Sequence, residues 1–527
     1  MIGSLRNLYL NSFLYDKKIS KPFKSSLKYK SSTYLLSSIV KIQTKKININ
    51  EFVLDTVWTN INLSKKQFRK LNNFFWIFSL DLKSSSSSVQ KVIENWIELN
   101  SKYSSKSWEF DTTSKRIISW LTNTKLTYDN SSEEYKNNFN FIIQKQTLHL
   151  LDQISNLKKY EDKLVGITAI ILFSLSYSEQ QKLLSLSLEY LKKILRNSLD
   201  KSGFPKSRNI KQSIFYLKYL ILIREWFKES QIPIPEFINE HIFYLGQSYT
   251  FFWKRINFDP LFNGNNISKN QEFDQYLKRL GYSFKNDNYE NSNYISLNNK
   301  KINFFMDVGP SPEKNFSDKY QAGALSFELL SNGKKVFTNS GFYDHKNKKL
   351  NELSRSSAMH NTLVIDDNSS CKFENKHRNV FKVKNDLKII KKDIVYEKNY
   401  WKVIASHDGF LKKYKLLFER EIQFYPENFK LMGKDKIIGK KNLPNLKFDI
   451  RFHLDPYSKV MKTQDNKSIL IEIDDEGWKF SCQNYEIGID NGLYFGKKNT
   501  YSENQNVFIS GIISSQNTDI IWELNKI

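Results

Sequence analysis

The feature that most constrains this chain is a change of hydrophobic period near residue 290. Before it, apolar residues recur at helical spacing. Leu184, Leu188, Leu191 and Leu195 share one helical face, and Ile214 to Phe227 (IFYLKYLILIREWF) is broken only by Lys218, Arg224 and Glu225. Leu164 to Leu175 (LVGITAIILFSL) is apolar on nearly every face, so that helix belongs inside a ring or bundle. Breaks at Asp200–Gly203 and at Pro233 and Pro235 leave ordinary connections between successive helices, which suits paired antiparallel helices. The serine run from Ser84 to Ser88 reads as a surface loop ahead of a helix containing Trp96.

After residue 290 the period becomes two. Ile302, Phe304 and Met306 fall on one face of a strand. Asn332-Gly333 between extended runs signals a hairpin, and a second is expected around Asp474–Gly477. Many short strands separated by polar turns read as a large antiparallel sandwich. A chain of 527 residues is also too long for one ordinary core, so a helical half and a β half is the expected division.

Composition narrows the function classes. Eighty-one Lys and Arg against 55 Asp and Glu give a formal charge of +26, which suits a polyanionic partner. The abundance of Lys, Asn, Ile and Ser is also what an AT-rich genome imposes on solvated positions. Cys371 and Cys482 are too few and too far apart for a disulfide framework or a cysteine zinc site. No apolar run approaches the roughly 18 residues of a membrane span, and the first residues show no secretory signal pattern. Phosphate-binding glycine loops, HExxH and GxSxG are absent from the sequence, and no nucleic-acid-binding module is recognisable.

Several words are more specific. In the helical half they are WEFDTTSKRIISWL (108–121), SGFPKSRN (202–209) and LFNG (261–264). In the β half they are AGALSFELLSNGKKVFTNSG (322–341), RSSAMHNTLVIDDNSS (355–370), SHDGF (406–410), the Arg420 strand leading to LMGKD (431–435), and IRFHLDP (450–456). In order and spacing these resemble the heparinase II/III-like family of polysaccharide lyases, in a bacterial branch where SRN follows a glycine turn. The resemblance implies an N-terminal (α/α) toroid and a C-terminal antiparallel β-sandwich. The expected division is an N-terminal extension with first helices over 1–95, the toroid over 96–290 and the sandwich over 291–527. It also implies β-elimination on an acidic, uronic-acid-containing glycan and a place in the cell envelope or periplasm.

Such a reaction needs the uronate carboxylate neutralised, a base for the C5 proton and an acid for the departing oxygen. In the family, as the resemblance implies, an Asn-His pair, a Tyr, a His-x-His segment, an Asp and the His of HNT supply catalysis and a structural zinc. Here the corresponding positions hold Asp162-Lys163, Lys211, Lys319-Tyr320-Gln321, Asn339 and His360. Only His360 is retained, and Gln321 with Asn339 are poor zinc ligands, so no tightly bound zinc is expected. The catalytic candidates are His360, Tyr320, Arg208, Asn209 and Lys163, and Lys319, Gln321 and Lys211 are substrate-binding candidates.

Each candidate has a structural alternative. Arg208 suits a bidentate grip on a carboxylate, yet it equally suits an internal ion pair. Asn209 is a donor or a helix cap, and Lys163 is a carboxylate partner or a solvated residue at a helix start. Tyr320 is a phenol for substrate or a sheet aromatic. His407 and His453 read as structural histidines, and Trp108 and Tyr216 are candidates for stacking on sugar rings, or core. The leading expectation is a lyase on an acidic polysaccharide. The alternative is a glycan-binding or envelope-polysaccharide assembly protein that has lost catalysis.

Overall fold

The computed structural model describes residues 2–23, 25–40, 58, 63–80, 85–254, 258–267, 271–345, 347–377, 380–439, 445–513 and 516–527. They group into two compact units. One comprises residues 1–198, 215–243 and 271–282, the other 199–214, 244–270 and 283–527. The grouping differs from a cut at residues 95 and 290, because two segments within the first 290 residues, 199–214 and 244–270, pack with the strands.

The first unit is a toroid-type array of helices. Its innermost helix, Tyr160–Ser176, is buried continuously from Leu164 onward and packs against Phe110–Thr122, Glu133–Gln153 and Gln181–Ser198. Helix Glu133–Gln153 starts where the Ser132 hydroxyl accepts the Tyr135 N–H, and Glu133 and Glu134 face the positive end of the helix dipole. The serine run does not form a separate loop. Ser86–Ser88 already belong to helix Ser86–Asn100, which Ser85 precedes in extended conformation, whereas Ser84 lies outside the described residues.

Trp96, Trp108, Trp120 and Arg116 are wholly buried here. The Arg116 guanidinium lies 4.0 Å over the Trp96 ring and donates to the Asn72 and Ser107 carbonyls and to Gln146 Oε1. Trp108 donates to the Asn100 carbonyl, and Tyr216 is buried completely. Both aromatic candidates for sugar stacking are therefore core residues. Among the described residues no helix is long and apolar enough to cross a membrane.

The second unit is antiparallel β. An eight-stranded sheet has the order Lys459–Lys462, Ser468–Ile473, Glu476–Cys482, Asn517–Lys526, Lys430–Ile438, Leu417–Tyr425, Trp401–His407, Ile389–Tyr396. A five-stranded sheet runs in sequence order from Glu290 to Phe337. A four-stranded sheet joins Glu486–Tyr494, Ser502–Ile513, Leu446–His453 and Leu363–Ile365.

Phe327 from the five-stranded sheet, Phe452 from the four-stranded sheet and Trp522 from the eight-stranded sheet meet in one core. The Trp522 ring lies 5.9 Å from Phe327 and 4.8 Å from Phe452. Strand alternation is clearest in Leu417–Tyr425 and Lys430–Ile438, where every second residue is buried. That register also turns Arg420 and Asp435 inward as directly paired residues. They form a fully buried ion pair at 2.6 and 2.9 Å, with Trp522 Nε1 donating to the same carboxylate at 2.9 Å.

Both hairpins form. Asn332 and Gly333 take φ of 46° and 79° between Ser331 and Lys334, the left-handed pair that a two-residue turn requires. The second turn is shorter than the sequence suggests: Asp474-Asp475 alone connects Ile473 to Glu476, and Gly477 belongs to the strand.

Candidate functional site

Within the β-rich unit the segment Leu261–Asn266 (LFNGNN) is buried although half of it is asparagine, and its polar groups organise the candidate site. Asn263, at φ 46°, donates from Nδ2 to the Asp307 carboxylate at 2.9 Å and to the Tyr294 hydroxyl at 2.5 Å, and accepts the Gln321 N–H. Tyr294 in turn donates to the Arg208 carbonyl at 2.9 Å. Leu261 N–H donates to Glu328, a fully buried carboxylate that also takes the Asn339 N–H and the Thr338 hydroxyl. Asn266 Nδ2 bridges the carbonyls of Phe342 and Phe495, which ties the neighbourhood of Lys498 to the same segment.

Arg208 has a carboxylate partner, and that partner is internal. It pairs with Asp307 at 2.8 Å, donates to the carbonyls of Pro310 and Asn293, and lies 4.6 Å over the Tyr294 ring. A side chain at residue 309 would meet the guanidinium at 2.1 Å, so Gly309 is what lets it fit. The expectation that Arg208 grips a substrate carboxylate gives way to a framework role, since its donors are already committed in a buried setting.

Asn209 follows as a cap. Its Oδ1 accepts the Gln212 N–H at the start of helix Ile210–Glu229, and its Nδ2 faces Gly264. Gln321 is equally committed, accepting the Gly264 N–H at 3.0 Å and donating to the carbonyls of Gly341 and Ser354. No free amide remains on it for a substrate. Tyr320 is 0% exposed and packs with Ala322, Ala324, Cys371, Val383 and Leu387. Burial raises its phenol well above the usual tyrosine range, with the Cys371 thiol adding to the effect. In this conformation it presents no phenol to solvent.

His360 is buried as completely. It is 0% exposed, its imidazole sits against Gly323, and among the described residues neither ring nitrogen has a hydrogen-bond partner. Burial, with His453 adding, holds it at about 3, so it is neutral near pH 7. His453 is anchored by the Ala358 carbonyl and Ser340, and His407 accepts the Gly409 N–H, both as structural histidines. Lys163 belongs to the helical unit, half-buried on helix Tyr160–Ser176 with its ammonium 5.4 Å from the Tyr160 ring.

The zinc that the resemblance implies can be tested on these donors. The Gln321 amide is saturated, Asn339 Oδ1 accepts the Asn361 N–H, and among the described residues Asn339 Nδ2 is a donor without a partner. One imidazole and an amide N–H do not make a zinc site, which needs about four N, S or carboxylate ligands. The residues present do not fit that metal.

What the structure does bring together is lysine. Lys211 sits half-buried in the first turn of helix Ile210–Glu229, close enough to Asp259, Lys498 and Lys319 to feel their charges. Burial lowers its ammonium to about 8, Asp259 opposes the fall, and Lys498 and Lys319 add to it. Lys319 is half exposed, pairs with Asp344 at 3.6 Å, and flanks Gly264 opposite Asn209. Gly264 has φ +83°, and a Cβ there would lie 2.8 Å from both Asn209 Nδ2 and Lys319 Cβ. Gly264→Ala is therefore expected to cost about 1–3 kcal/mol and to displace Lys319. Denaturant unfolding of the variant checks this, and an unchanged midpoint would refute it.

Sequence reasoning named Lys211 and Lys319 but missed Lys498, Asp259 and the Asp307 keystone. The available signal for Asp307 was a carboxylate ending an apolar strand two residues before a glycine.

Residues 285–523 match the family described as heparinase II/III-like, C-terminal. No curated protein matches the sequence. Among solved structures, a heparinase III gene product is 13% identical with a TM-score of 0.71, covering 96% of this chain and 85% of that one. A heparan sulfate lyase HepC mutant from Pedobacter heparinus is 12% identical with a TM-score of 0.68, covering 97% and 87%. A further heparinase III structure is 14% identical with a TM-score of 0.67, covering 97% and 88%. At these identities the structures share the fold of this chain.

Proposed function

We propose, for a chain that belongs to the heparinase II/III-like family through residues 285–523, a lyase activity that cleaves an acidic, uronic-acid-containing glycan by β-elimination. The observation that carries this reading is the half-buried Lys211, held at about 8 beside Lys319 and Lys498. An amine in that range has the two properties the reaction needs. It is neutral often enough near pH 8 to accept a proton, and it lies among cations that favour a carboxylate next to it.

In this reading Lys319 and Lys498 hold the uronate carboxylate and stabilise the charge that spreads onto it as C5 is deprotonated. Neutral Lys211 takes the C5 proton. The electron pair of that C–H bond forms the C4=C5 double bond while the C4–O bond breaks, its electron pair leaving with the oxygen. The Lys211 ammonium then returns the proton to that oxygen, so no water is consumed and the amine is regenerated. Arg208, Asp307, Asn263 and Gln321 act as the frame that places Lys319 and Lys211. No metal takes part in the scheme.

A second reading has its own support: Arg208, Tyr320, Gln321 and His360 are all turned to internal partners or buried, as in a protein that holds a glycan without cleaving it. The two separate on one assay. Purified protein incubated with a panel of uronic-acid polymers is expected to produce the ultraviolet absorbance of the C4=C5 double bond, with a rate that rises through about pH 8. Lys211→Met should lower that rate by about 10²–10⁴. Salt-sensitive binding with no unsaturated ends from any polymer would remove the lyase reading and leave the binding one.

A further inference from the structure

Two of the sequence words that the proposed chemistry leaves unused, IDDNSS and SHDGF, meet at one place in the β-rich unit. The loop after strand Leu363–Ile365 and the loop after strand Trp401–His407 line a cavity of about 460 Å³, closed by Lys384–Asp386 and the short helix Leu411–Tyr414. That volume lies within the range of small-ligand sites, roughly 300–1,000 Å³. None of its lining residues belongs to the Lys211 group.

The cavity is framed by backbone. Lys384 N–H donates to the Lys372 carbonyl at 2.8 Å, and the Asp408 carboxylate takes the Lys388 N–H at 2.7 Å. Gly409 approaches Ser370 so closely that a Cβ would lie 2.7 Å from the Ser370 carbonyl oxygen, which fixes the two loops against one another. On the inner side of the same walls, Cys371, Val383 and Leu387 pack around Tyr320, so the walls rest on core.

The lining is cationic. Lys372, Lys384, Lys412 and Lys413 contribute four ammonium groups against the carboxylates of Asp386 and Asp408. Among the described residues none of the four lysines forms an ion pair, whereas many other lysines of this unit do. Lys413 donates to the Tyr414 hydroxyl at 2.5 Å with its ammonium 4.4 Å from that ring, and Tyr414 also lines the cavity. Unpaired cations around a framed concavity with an aromatic wall suit a ring-shaped polyhydroxyl ligand bearing a carboxylate or sulfate.

We propose that this cavity is a second, non-catalytic subsite that binds an anionic sugar unit of the glycan. The identity of the ligand as a glycan rests on the function proposed above; the anion chemistry rests on the cavity alone.

The test is calorimetric titration of the full chain with heparan sulfate and polyuronate oligosaccharides. The double variant Lys384→Glu with Lys412→Glu is expected to weaken binding at least tenfold at an unchanged melting temperature. Lys462→Glu with Lys467→Glu, exposed lysines outside the cavity, makes the same change in net charge and should leave affinity within twofold. Equal weakening by both pairs, or by neither, overturns the inference. Should the Glu pair fail to fold, Lys384→Gln with Lys412→Gln is compared instead with Lys462→Gln with Lys467→Gln, which makes the same charge change, and is read in the same way. Inorganic sulfate binding as tightly as the oligosaccharides would assign the cavity to a free anion and overturn the glycan identity. Failure of the lyase reading is seen separately, as oligosaccharide binding by the unmodified protein without unsaturated product.

Discussion

Asp307→Ala is expected to destabilise the protein by about 3–5 kcal/mol, because it strands a buried guanidinium. One Asp307 oxygen accepts from Arg208 at 2.8 Å and from the Gly309 N–H at 3.0 Å, and the other accepts from Asn263 Nδ2 at 2.9 Å. Arg208 and Asp307 are 7% and 1% exposed, so water does not replace the lost partner. The loss also frees Asn263, which anchors the Gln321 N–H, and so the effect should reach Lys319 and Lys211. Denaturant unfolding measures the first effect. The rate or affinity toward an acidic glycan measures the second.

The double variant Arg208→Met with Asp307→Leu separates the cost of a stranded charge from the worth of the pair. With both charges gone, most of the lost stability should return, since a buried pair replaced by apolar groups is often nearly neutral. Glycan affinity should not return with it, because Asn263 still lacks the Asp307 carboxylate and keeps only the Tyr294 hydroxyl as acceptor. Additive losses in the cycle completed by Arg208→Met alone and Asp307→Leu alone, or a cost below about 1 kcal/mol for either, would show that Arg208 and Asp307 are not coupled as the geometry indicates.

The period change near residue 290 made the helical and β halves legible, because burying one face imposes spacing on the sequence whatever the rest of the chain does. Asn332-Gly333 was legible for a similar local reason, since few other residue pairs accept two left-handed conformations. The unit membership of residues 199–214 and 244–270 was not legible, because it depends on where a loop packs and not on its period. Among site residues, Lys211 and Lys319 were found only by position within a family pattern. Their neighbour Lys498 lies nearly 180 residues further along the chain, brought in by hydrogen bonds from Asn266 to two carbonyls. Arg208 was named as a catalytic candidate because its donors suit a carboxylate, and Gln321 as a substrate contact by its position in the family pattern. Only the structure shows the donors of both spent on Asp307 and on backbone carbonyls.

The buried histidines make a prediction of comparable size about acid. His360, His407 and His453 lie in the β-rich unit at 0–1% exposure, and burial lowers them to about 3, 3 and 4. Secondary effects differ: His453 adds to the fall at His360, Arg420 adds to it at His407, and the Ala358 carbonyl opposes it at His453.

The sign follows from proton counting. An unfolded histidine titrates near 6.5, so below that pH the unfolded chain binds protons that the folded chain refuses, and stability falls as pH falls until the folded values are reached. At pH 5 each histidine should remove about 2 kcal/mol, or about 6 kcal/mol for the three. That is a large share of the roughly 5–15 kcal/mol by which a domain is stable.

Urea unfolding at pH 7 and pH 5 should show the loss, and His360→Gln should recover about a third of the difference. The glutamine has no proton to gain, although leaving its amide unpaired will lower stability at both pH values. Equal stability at pH 5 and 7 would mean that these imidazoles become charged without unfolding. The neutral, inaccessible state assigned to His360 would then be wrong, and a direct part for it in proton transfer would again be open.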